Sequence, residues 1–385
     1  MDLSYILNEL GEERDQYFNA IAPPIIQTSN FMFPSVAAMR ADLPFEYERH
    51  FYTRGNNPTV AILRKKLAAL EGTEDALVLA SGSAAIAAAV LANVQQGDHI
   101  VCVQKPYSWT LRLMRDYLPR FGVTTTFVNG TDIANFEAAI RPETRLIYLE
   151  SPNTFTFELQ DIRAVAELAK SRNIVTMIDN SHCTPLFQRP IELGVDIVMH
   201  SGSKYLGGHS DAIAGVICGT TAMMKRIFSG EYMTLGAIIS PQNAWLLLRG
   251  LRTLQLRVQR SDDSARQVVA FLEQHPTVRR IYFPLADSHP QIELARRQMT
   301  GCGGLITLSL NTDQVATVDT FADGLKRFLL GVSWGGHESL VFPASIGYDP
   351  TTPPADENYN LIRLYVGLED PAVLIDDLRQ SLDAL

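Results

Sequence analysis

The sequence predicts an α/β protein whose large domain is built around a mostly parallel sheet and whose smaller C-terminal domain is α+β. Short apolar runs bounded by turn residues recur between residues 76 and 218, and helical stretches lie between most of them. The chain has 385 residues, of which 46% are hydrophobic. This length is enough for about two or three domains with substantial cores.

The predicted elements follow one another in a regular order from residue 58. The apolar runs predict strands at 76–79, 99–103, 124–128, 145–149, 174–178, 196–199 and 214–218. Helical periodicity covers 60–70, 84–94, 111–117, 135–139 and 162–171. A long helix at 253–274 is then followed by strands at 279–283, 304–310 and 361–367 and by helices near 315–327 and from 371. We therefore expect an N-terminal arm over 1–57, a large domain over 58–250 and a C-terminal domain over 251–385.

Composition excludes several classes of function. Lys and Arg number 33 against 42 Asp and Glu, a net charge of −9, which disfavours nucleic acid and anionic membranes as partners. The four cysteines form no CxxC pair, and the eight histidines show no ligand spacing, so we expect no disulfide framework and no metal. The N-terminus carries acidic residues where a signal peptide needs basic ones, which predicts a cytoplasmic protein.

Two of the strand ends carry groups that suit a bound anion or cation. Ligands of such a sheet bind beyond the carboxyl ends of its strands. Gly82 and Ser83 follow the first strand and begin an Ala-rich helix, whose N–H groups would hold a phosphate. Tight packing of that helix on the sheet would explain the small residues at 82 and 83 equally well. Asp179 ends another apolar strand and is either a helix cap or a site residue.

Two basic residues stand in apolar surroundings. Lys204 follows the strand at 196–199 among hydroxyls and small residues, where a desolvated amine would have a lowered pKa and act as a nucleophile. A solvated surface lysine is the alternative. Arg363 interrupts an apolar strand and should meet an anion, either a ligand or the carboxylate of a structural ion pair.

Together these residues are the parts that a pyridoxal phosphate enzyme requires. A lysine binds the cofactor covalently, and an aspartate keeps its ring nitrogen protonated. A helix start with neighbouring hydroxyls holds its phosphate, and an arginine holds the substrate carboxylate. The combination is much more specific than any one of its members.

Eight ordered segments match the motifs of one enzyme family. They are YTRGNNPT at 52–59, ASGSAAI at 80–86, ESP at 150–152, IDN at 178–180, HSGSKY at 200–205, RGLRTL at 249–254, SWGGHES at 333–339 and RLYVGLED at 363–370. Through them the chain resembles the Cys/Met-metabolism (trans-sulfuration) pyridoxal phosphate enzymes from about residue 23 to its C-terminus. The resemblance implies the type I, aspartate-aminotransferase-like fold and pyridoxal 5'-phosphate as cofactor.

The resemblance also implies roles for individual residues. Lys204 carries the cofactor and shuttles the Cα proton, Asp179 pairs with the pyridinium nitrogen, and Arg363 binds the substrate α-carboxylate. Tyr107 stacks on the cofactor ring and assists at the leaving group, although a core aromatic at a strand end is its alternative. Ser333 steadies the lysine or the substrate. The residues implied at the cofactor phosphate are Gly82, Ser83, Ser201 and Ser203 of one subunit, with Tyr52 and Arg54 from its neighbour. A homodimer within a homotetramer is therefore expected.

The motifs closest to cystathionine β-lyase set the expected reaction. Thr154 stands where the family commonly has an Asn that touches the substrate carboxylate, and Trp334 follows Ser333, as in β-lyases. We therefore expect a carbon–sulfur β-lyase that converts cystathionine or a related S-substituted cysteine to pyruvate, ammonia and a thiol.

Other features keep two alternatives open. Asn57-Pro58-Thr59 is more typical of γ-acting relatives, which are cystathionine γ-synthases, γ-lyases and O-acylhomoserine sulfhydrylases. Residues 108–110, however, lack the reactive cysteine of some γ-lyases. The alternative outside catalysis is a cofactor-binding scaffold.

Overall fold

The computed structural model describes residues 1–352, 354 and 356–385, and these form a seven-stranded and a five-stranded sheet. The first sheet has the strand order β1-β7-β6-β5-β4-β2-β3 and the second the order β10-β11-β12-β9-β8. The strands of the first sheet are β1 Asp75–Leu79, β2 His99–Val103, β3 Thr124–Val128, β4 Thr144–Glu150, β5 Val175–Asp179, β6 Ile197–Ser201 and β7 Gly215–Gly219. The strands of the second are β8 Val278–Tyr282, β9 Leu305–Leu310, β10 Leu329–Leu330, β11 Leu340–Pro343 and β12 Ile362–Tyr365.

The helices cover both sheets. They are α1 Leu3–Asn8, α2 Val36–Asp42, α3 Pro58–Glu71, α4 Gly82–Leu91, α5 Ser108–Arg112, α6 Ile133–Ala139, α7 Ile162–Ser171, α8 Thr184–Phe187, α9 Thr221–Ile227, α10 Met233–Leu235, α11 Pro241–Leu251, α12 Leu254–Leu272, α13 Ile292–Gln298, α14 Val315–Gly324 and α15 Pro371–Leu382. In the part of the chain that the structure describes, no helix has the length and apolar character to cross a membrane.

The first sheet is mostly parallel, as predicted. Strands β2 to β6 pair in parallel, whereas β7 runs antiparallel to both β6 and β1. Strand β1 therefore points the same way as β4, β5 and β6. The residues that follow these four strands meet at one edge of the sheet, and this brings the predicted site residues together.

Local sequence sets the helix ends. Asn57 accepts a hydrogen bond from the Thr59 N–H at 3.0 Å, Pro58 fills the first turn of α3, and the helix stops at Gly72, whose φ is +77°.

Helix α12 joins the two parts of the protein. Its Leu254 and Val258 pack in the core beside the first sheet, and its later apolar residues pack in the core of the second.

The structure differs from the predicted elements in a few places. The predicted helix at 111–117 begins earlier, at Ser108, and becomes a π-helical turn over Leu113–Tyr117. Several elements were not predicted: helices α1, α2, α8, α9, α10, α11 and α13 and strands β10 and β11. Most of them are short, and short segments show little periodicity. Helix α11 is the exception, because its apolar residues recur at helical spacing and were overlooked. Helix α14 ends at Gly324 rather than near residue 327, since glycine weakens the last turn. The predicted domain bounds remain a prediction.

The start of the N-terminal arm is tied to its own chain by a buried ion pair. Lys66 on α3 lies 3.1 Å from Glu12, and both side chains are fully buried. The Lys66 amine also donates to the carbonyls of Ile6 and Leu7, each at 3.1 Å. A charged group this deeply buried is tolerated only when its partners are in place.

We expect Lys66→Met to lower the free energy of unfolding by about 3 kcal/mol, because it leaves the carbonyls of Ile6 and Leu7 without their donor and removes the only fully buried cation beside Glu12 among the described residues. Glu12 keeps Arg14 and Arg252 as partners. The neighbouring Lys65 is half-exposed and lies 3.6 Å from Glu13, so Lys65→Met is a matched control that should cost less than about 1 kcal/mol. Urea unfolding of the three proteins measures the difference. Equal losses in both variants would contradict the structural importance of the buried pair.

Candidate active site

A cavity of about 730 Å³ lies where the ends of β1, β4, β5 and β6 face residues of the second sheet. Ten of the predicted site residues line it: Gly82, Ser83, Tyr107, Thr154, Asp179, Ser201, Ser203, Lys204, Ser333 and Arg363. Tyr52 and Arg54 lie outside it. Both are exposed, and the Arg54 guanidinium lies 5.4 Å from the centre of the Tyr52 ring.

Lys204 follows β6 and points toward residues of the second sheet. Its Nζ donates to the Ser333 Oγ at 2.7 Å and lies 5.5 Å from the centre of the Trp334 ring. Burial and the nearby positive charge of Arg363 lower the pKa of Lys204 to about 8. A larger fraction of this amine is therefore uncharged near neutral pH than for a solvated lysine, and only the uncharged amine attacks a carbonyl.

Two carboxyl groups end adjacent strands at the floor of the cavity. Asp179 on β5 is the register partner of Glu150 on β4. The N–H of Ser181 donates to Asp179 Oδ1 at 2.9 Å, which is a local turn rather than a helix cap. Burial raises the pKa of Asp179. Burial and the neighbouring Asp179 raise the pKa of Glu150 well above its usual value. A cation facing Asp179 would favour its charged form.

Glu150 holds the segment that carries Tyr107. Its Oε2 accepts a hydrogen bond from the Tyr107 N–H at 2.7 Å. Burial raises the pKa of the Tyr107 hydroxyl, which is therefore protonated at neutral pH. The sequence analysis gave Glu150 no role, although an acidic residue at the end of an apolar strand is the same signal that identified Asp179.

The start of α4 forms an anion cradle. The Ser81 Oγ accepts a hydrogen bond from the Ala84 N–H at 3.1 Å, and the N–H groups of Gly82 and Ser83 have no acceptor within the helix. A Cβ on Gly82 would lie 3.3 Å from the side chain of Ser201, a tight contact that a small shift of Ser201 would have to relieve. The Ser203 hydroxyl lines the cavity but also accepts from the Ala214 N–H at 3.0 Å, so it joins the segment after β6 to the start of β7.

Arg363 enters the cavity from β12. It donates to the Val332 carbonyl at 2.7 Å, and burial lowers its pKa to about 10. No carboxylate forms an ion pair with it in the part of the chain that the structure describes, so its charge is available to a ligand rather than used in a structural ion pair. Asn153, one position before Thr154, does not replace the missing amide, because its Oδ1 and Nδ2 both bond to Glu158.

His182 is a cavity residue that the sequence analysis missed. Its ring packs edge-on against Phe157 at 5.1 Å and lies 6.4 Å from the Trp334 ring. Among the described residues its Nε2 has no hydrogen-bond partner. Burial lowers the pKa of His182 to about 3, so the imidazole is neutral. The sequence does contain a signal that could have identified His182 as a site residue, namely its position three residues after Asp179.

The donor set fits pyridoxal phosphate. Backbone N–H groups and the hydroxyls of Ser201 and Ser203 suit its phosphate, the Asp179 carboxyl suits a protonated ring nitrogen, and the Lys204 amine suits its aldehyde. The Gly82 cradle, which any Cβ would narrow, is the most specific structural feature of this fit.

Comparison with known proteins gives the same picture. The family model described as "Cys/Met metabolism PLP-dependent enzyme" matches residues 6–383. The chain is 38% identical to an L-methionine gamma-lyase of Pseudomonas putida over 380 residues, 97% of this chain and 95% of that protein. It is 35% identical to the cystathionine gamma-lyase of Bacillus subtilis, covering 97% of each. It is 37% identical to the chloroplastic cystathionine gamma-synthase 1 of Arabidopsis thaliana, over 95% of this chain and 66% of that protein.

Acid should destabilise the protein partly through His182. In the unfolded chain a histidine has a pKa near 6.5, so between about pH 6.5 and pH 3 the unfolded state binds a proton that the folded state does not. The free energy of unfolding should therefore fall with decreasing pH across this window, by at most about 1.4 kcal/mol per pH unit from this residue. Urea unfolding at several pH values should show a shallower fall in His182→Phe. Parallel curves for the two proteins would contradict the prediction.

Proposed function

The chain belongs to the Cys/Met-metabolism PLP-dependent enzyme family, and from this premise we propose that it is a γ-acting carbon–sulfur lyase for a thioether amino acid such as methionine. Pyridoxal 5'-phosphate is its cofactor. The three relatives named above are all γ-acting, so they favour the alternative of the sequence analysis over the expected β-lyase. The structural observation that carries the proposal is the Lys204 amine, of lowered pKa, in the same cavity as Arg363.

Binding depends on the charge of Arg363. A substrate carboxylate would take the place of the missing ion-pair partner and make charge-assisted hydrogen bonds to the guanidinium. This orients the amino acid within the cavity that Lys204 and Asp179 also line. When bound, the cofactor supplies an electron sink for the pair left at Cα when the Cα–H bond breaks.

Lys204 moves the protons. Its uncharged Nζ accepts the Cα proton, and Ser333 at 2.7 Å orients the amine for this step. Elimination from Cγ then needs a second proton to leave Cβ before the Cγ–S bond breaks. The Tyr107 hydroxyl, kept protonated by its raised pKa, is suited to donate a proton to the departing thiolate. With methionine, the amino acid and one water would give 2-oxobutanoate, methanethiol and ammonia.

A β-lyase activity is the second candidate. It is favoured by Thr154, which lines the cavity without an amide, and by Trp334, whose ring packs edge-on against Tyr205 at 5.5 Å. Both features belong to the β-lyase pattern that the sequence analysis identified. In this reaction the thiolate leaves from Cβ, no Cβ proton is removed beforehand, and the keto acid is pyruvate.

We also propose that the active unit is a homodimer, within a homotetramer, in the cytoplasm. Tyr52 and Arg54 support the dimer, because both are exposed and lie outside the cavity of their own chain. They are therefore available to the phosphate of a neighbouring subunit.

Product analysis separates the two reactions. We expect the pyridoxal-phosphate-loaded protein to convert methionine to 2-oxobutanoate and methanethiol, and cystathionine to 2-oxobutanoate and cysteine, as measured by mass spectrometry. Pyruvate with homocysteine from cystathionine would instead establish Cβ–S cleavage. A protein that turns over neither compound, nor S-methylcysteine, nor O-acetylhomoserine with a thiol, would contradict the proposed activity.

Lys204→Ala should abolish turnover and the absorbance of the covalently bound cofactor, because Lys204 is the only lysine among the described residues that line the cavity. The control is Lys170→Ala on α7, since Lys170 is exposed on the surface. It should keep both the absorbance and the activity. Unchanged colour and turnover in Lys204→Ala would overturn the assignment of Lys204.

A further inference from the structure

The Arg363 guanidinium lies against two aromatic rings. Its Cζ is 5.5 Å from the ring centre of Phe155 and 5.1 Å from that of Phe342. The two ring centres are 5.9 Å apart. Both rings line the same cavity as Arg363, and Phe342 is directly opposite it in the register between β11 and β12. The two phenylalanines, called the aromatic pair below, come from different parts of the protein.

The loop that supplies Phe155 has an unusual backbone. Phe155 and Phe157 have φ values of +62° and +51°, a left-handed conformation that is costly for bulky residues. Such a conformation persists only where surrounding contacts enforce it. The contacts are hydrogen bonds from Asn153 and Thr156 to Glu158, and the ion pair of Glu158 with Lys105 at 2.8 Å. These contacts hold the loop in the conformation that places the Phe155 ring beside Arg363.

We propose that the aromatic pair positions Arg363 for the substrate carboxylate, in place of an amide donor from this loop. The proposal rests on the proposed function for the identity of the carboxylate only. Thr154 has no amide to contribute, and both polar atoms of the Asn153 side chain are engaged by Glu158. The carboxylate would therefore depend on Arg363, whose own contacts are the Val332 carbonyl and the two rings.

Aromatic rings suit this task for an electrostatic reason. A ring face attracts a guanidinium, but it does not occupy the N–H groups that a carboxylate needs. The Val332 carbonyl takes one donor, and the remaining donors stay available to a planar, two-oxygen ligand. The rings also cover part of the guanidinium.

The test uses a probe that binds without reacting. 4-(Methylsulfanyl)butanoate has the carboxylate and thioether of methionine but no amine, and the corresponding alcohol lacks the carboxylate. Titration calorimetry measures the binding of both to the cofactor-loaded protein. Phe155→Gly removes one ring at a position whose φ suits glycine, so the loop keeps its backbone conformation. Phe155→Tyr keeps a ring, Phe342→Leu removes the other ring, and Phe121→Leu changes an exposed ring outside the cavity.

We expect Phe155→Gly and Phe342→Leu each to weaken binding of the carboxylate by about five- to tenfold, and Phe155→Tyr and Phe121→Leu to bind it like the unsubstituted protein. Binding of the alcohol should not change in any variant. For the reacting amino acid, KM should rise by the same factor while kcat changes by less than about twofold, because the lost interaction is made equally before and during reaction.

Unchanged carboxylate affinity in Phe155→Gly and Phe342→Leu would overturn the proposal. Equal weakening of carboxylate and alcohol would also overturn it, because the rings would then serve general packing. These outcomes are independent of the proposed function. A protein that cleaves no thioether but shows the expected carboxylate-specific loss would support the role of the aromatic pair and refute the lyase assignment. An active lyase whose ring variants bind the carboxylate normally would support the lyase assignment and refute the role of the aromatic pair.

Discussion

Two cationic side chains, Lys204 and Arg363, share one poorly solvated cavity, and the rest of the site depends on how their repulsion is resolved. Burial lowers the pKa of Arg363 to about 10, but the guanidinium keeps its charge at neutral pH. Lys204 is therefore the group that loses its proton more readily, and its pKa falls to about 8. Burial, and with it the repulsion by Arg363, thus produces a nucleophilic amine beside a carboxylate-binding group. Because Lys204 follows a strand of the first sheet and Arg363 lies in the second, this arrangement requires the two sheets to pack with the cavity between them.

The parallel strands place two carboxyl groups in the same cavity as these cations. Asp179 and Glu150 end neighbouring strands in register, so their carboxyl groups are close and their burial is costly. Each is stabilised by a backbone N–H from the loop after a strand, that of Ser181 for Asp179 and that of Tyr107 for Glu150. The same hydrogen bonds fix those two loops. The same two hydrogen bonds therefore stabilise the carboxyl groups at the floor of the cavity and position the loops that form its walls.

The predictable part of the site is the part that follows strands. Asp179, Lys204 and Gly82 could be identified because a chemically distinctive residue directly after an apolar run must lie at the sheet edge in any parallel α/β protein. The aromatic pair could not, since it depends on the register of β11 on β12 and on the backbone of a loop with positive φ values. The Lys66–Glu12 pair joins residues far apart in sequence, and only tertiary packing decides that they meet. Helices α9 and α13 were missed because seven residues are too few to show a clear period.

The choice between β- and γ-elimination does not require an additional base in the cavity. Elimination from Cγ removes protons from Cα and then from Cβ, two carbons that are about 1.5 Å apart. One amine can serve both positions in turn if it passes the Cα proton on before it accepts the one from Cβ, and this needs only a small movement. Lys204 is held by a single side-chain hydrogen bond to Ser333 among the described contacts. The absence of an obvious second base in the sequence is therefore no argument for a β-lyase. The two reactions differ instead in where the sulfur lies when it departs. The geometry of Tyr107, which lines the cavity and is suited to protonate the departing thiolate, should therefore decide the reaction.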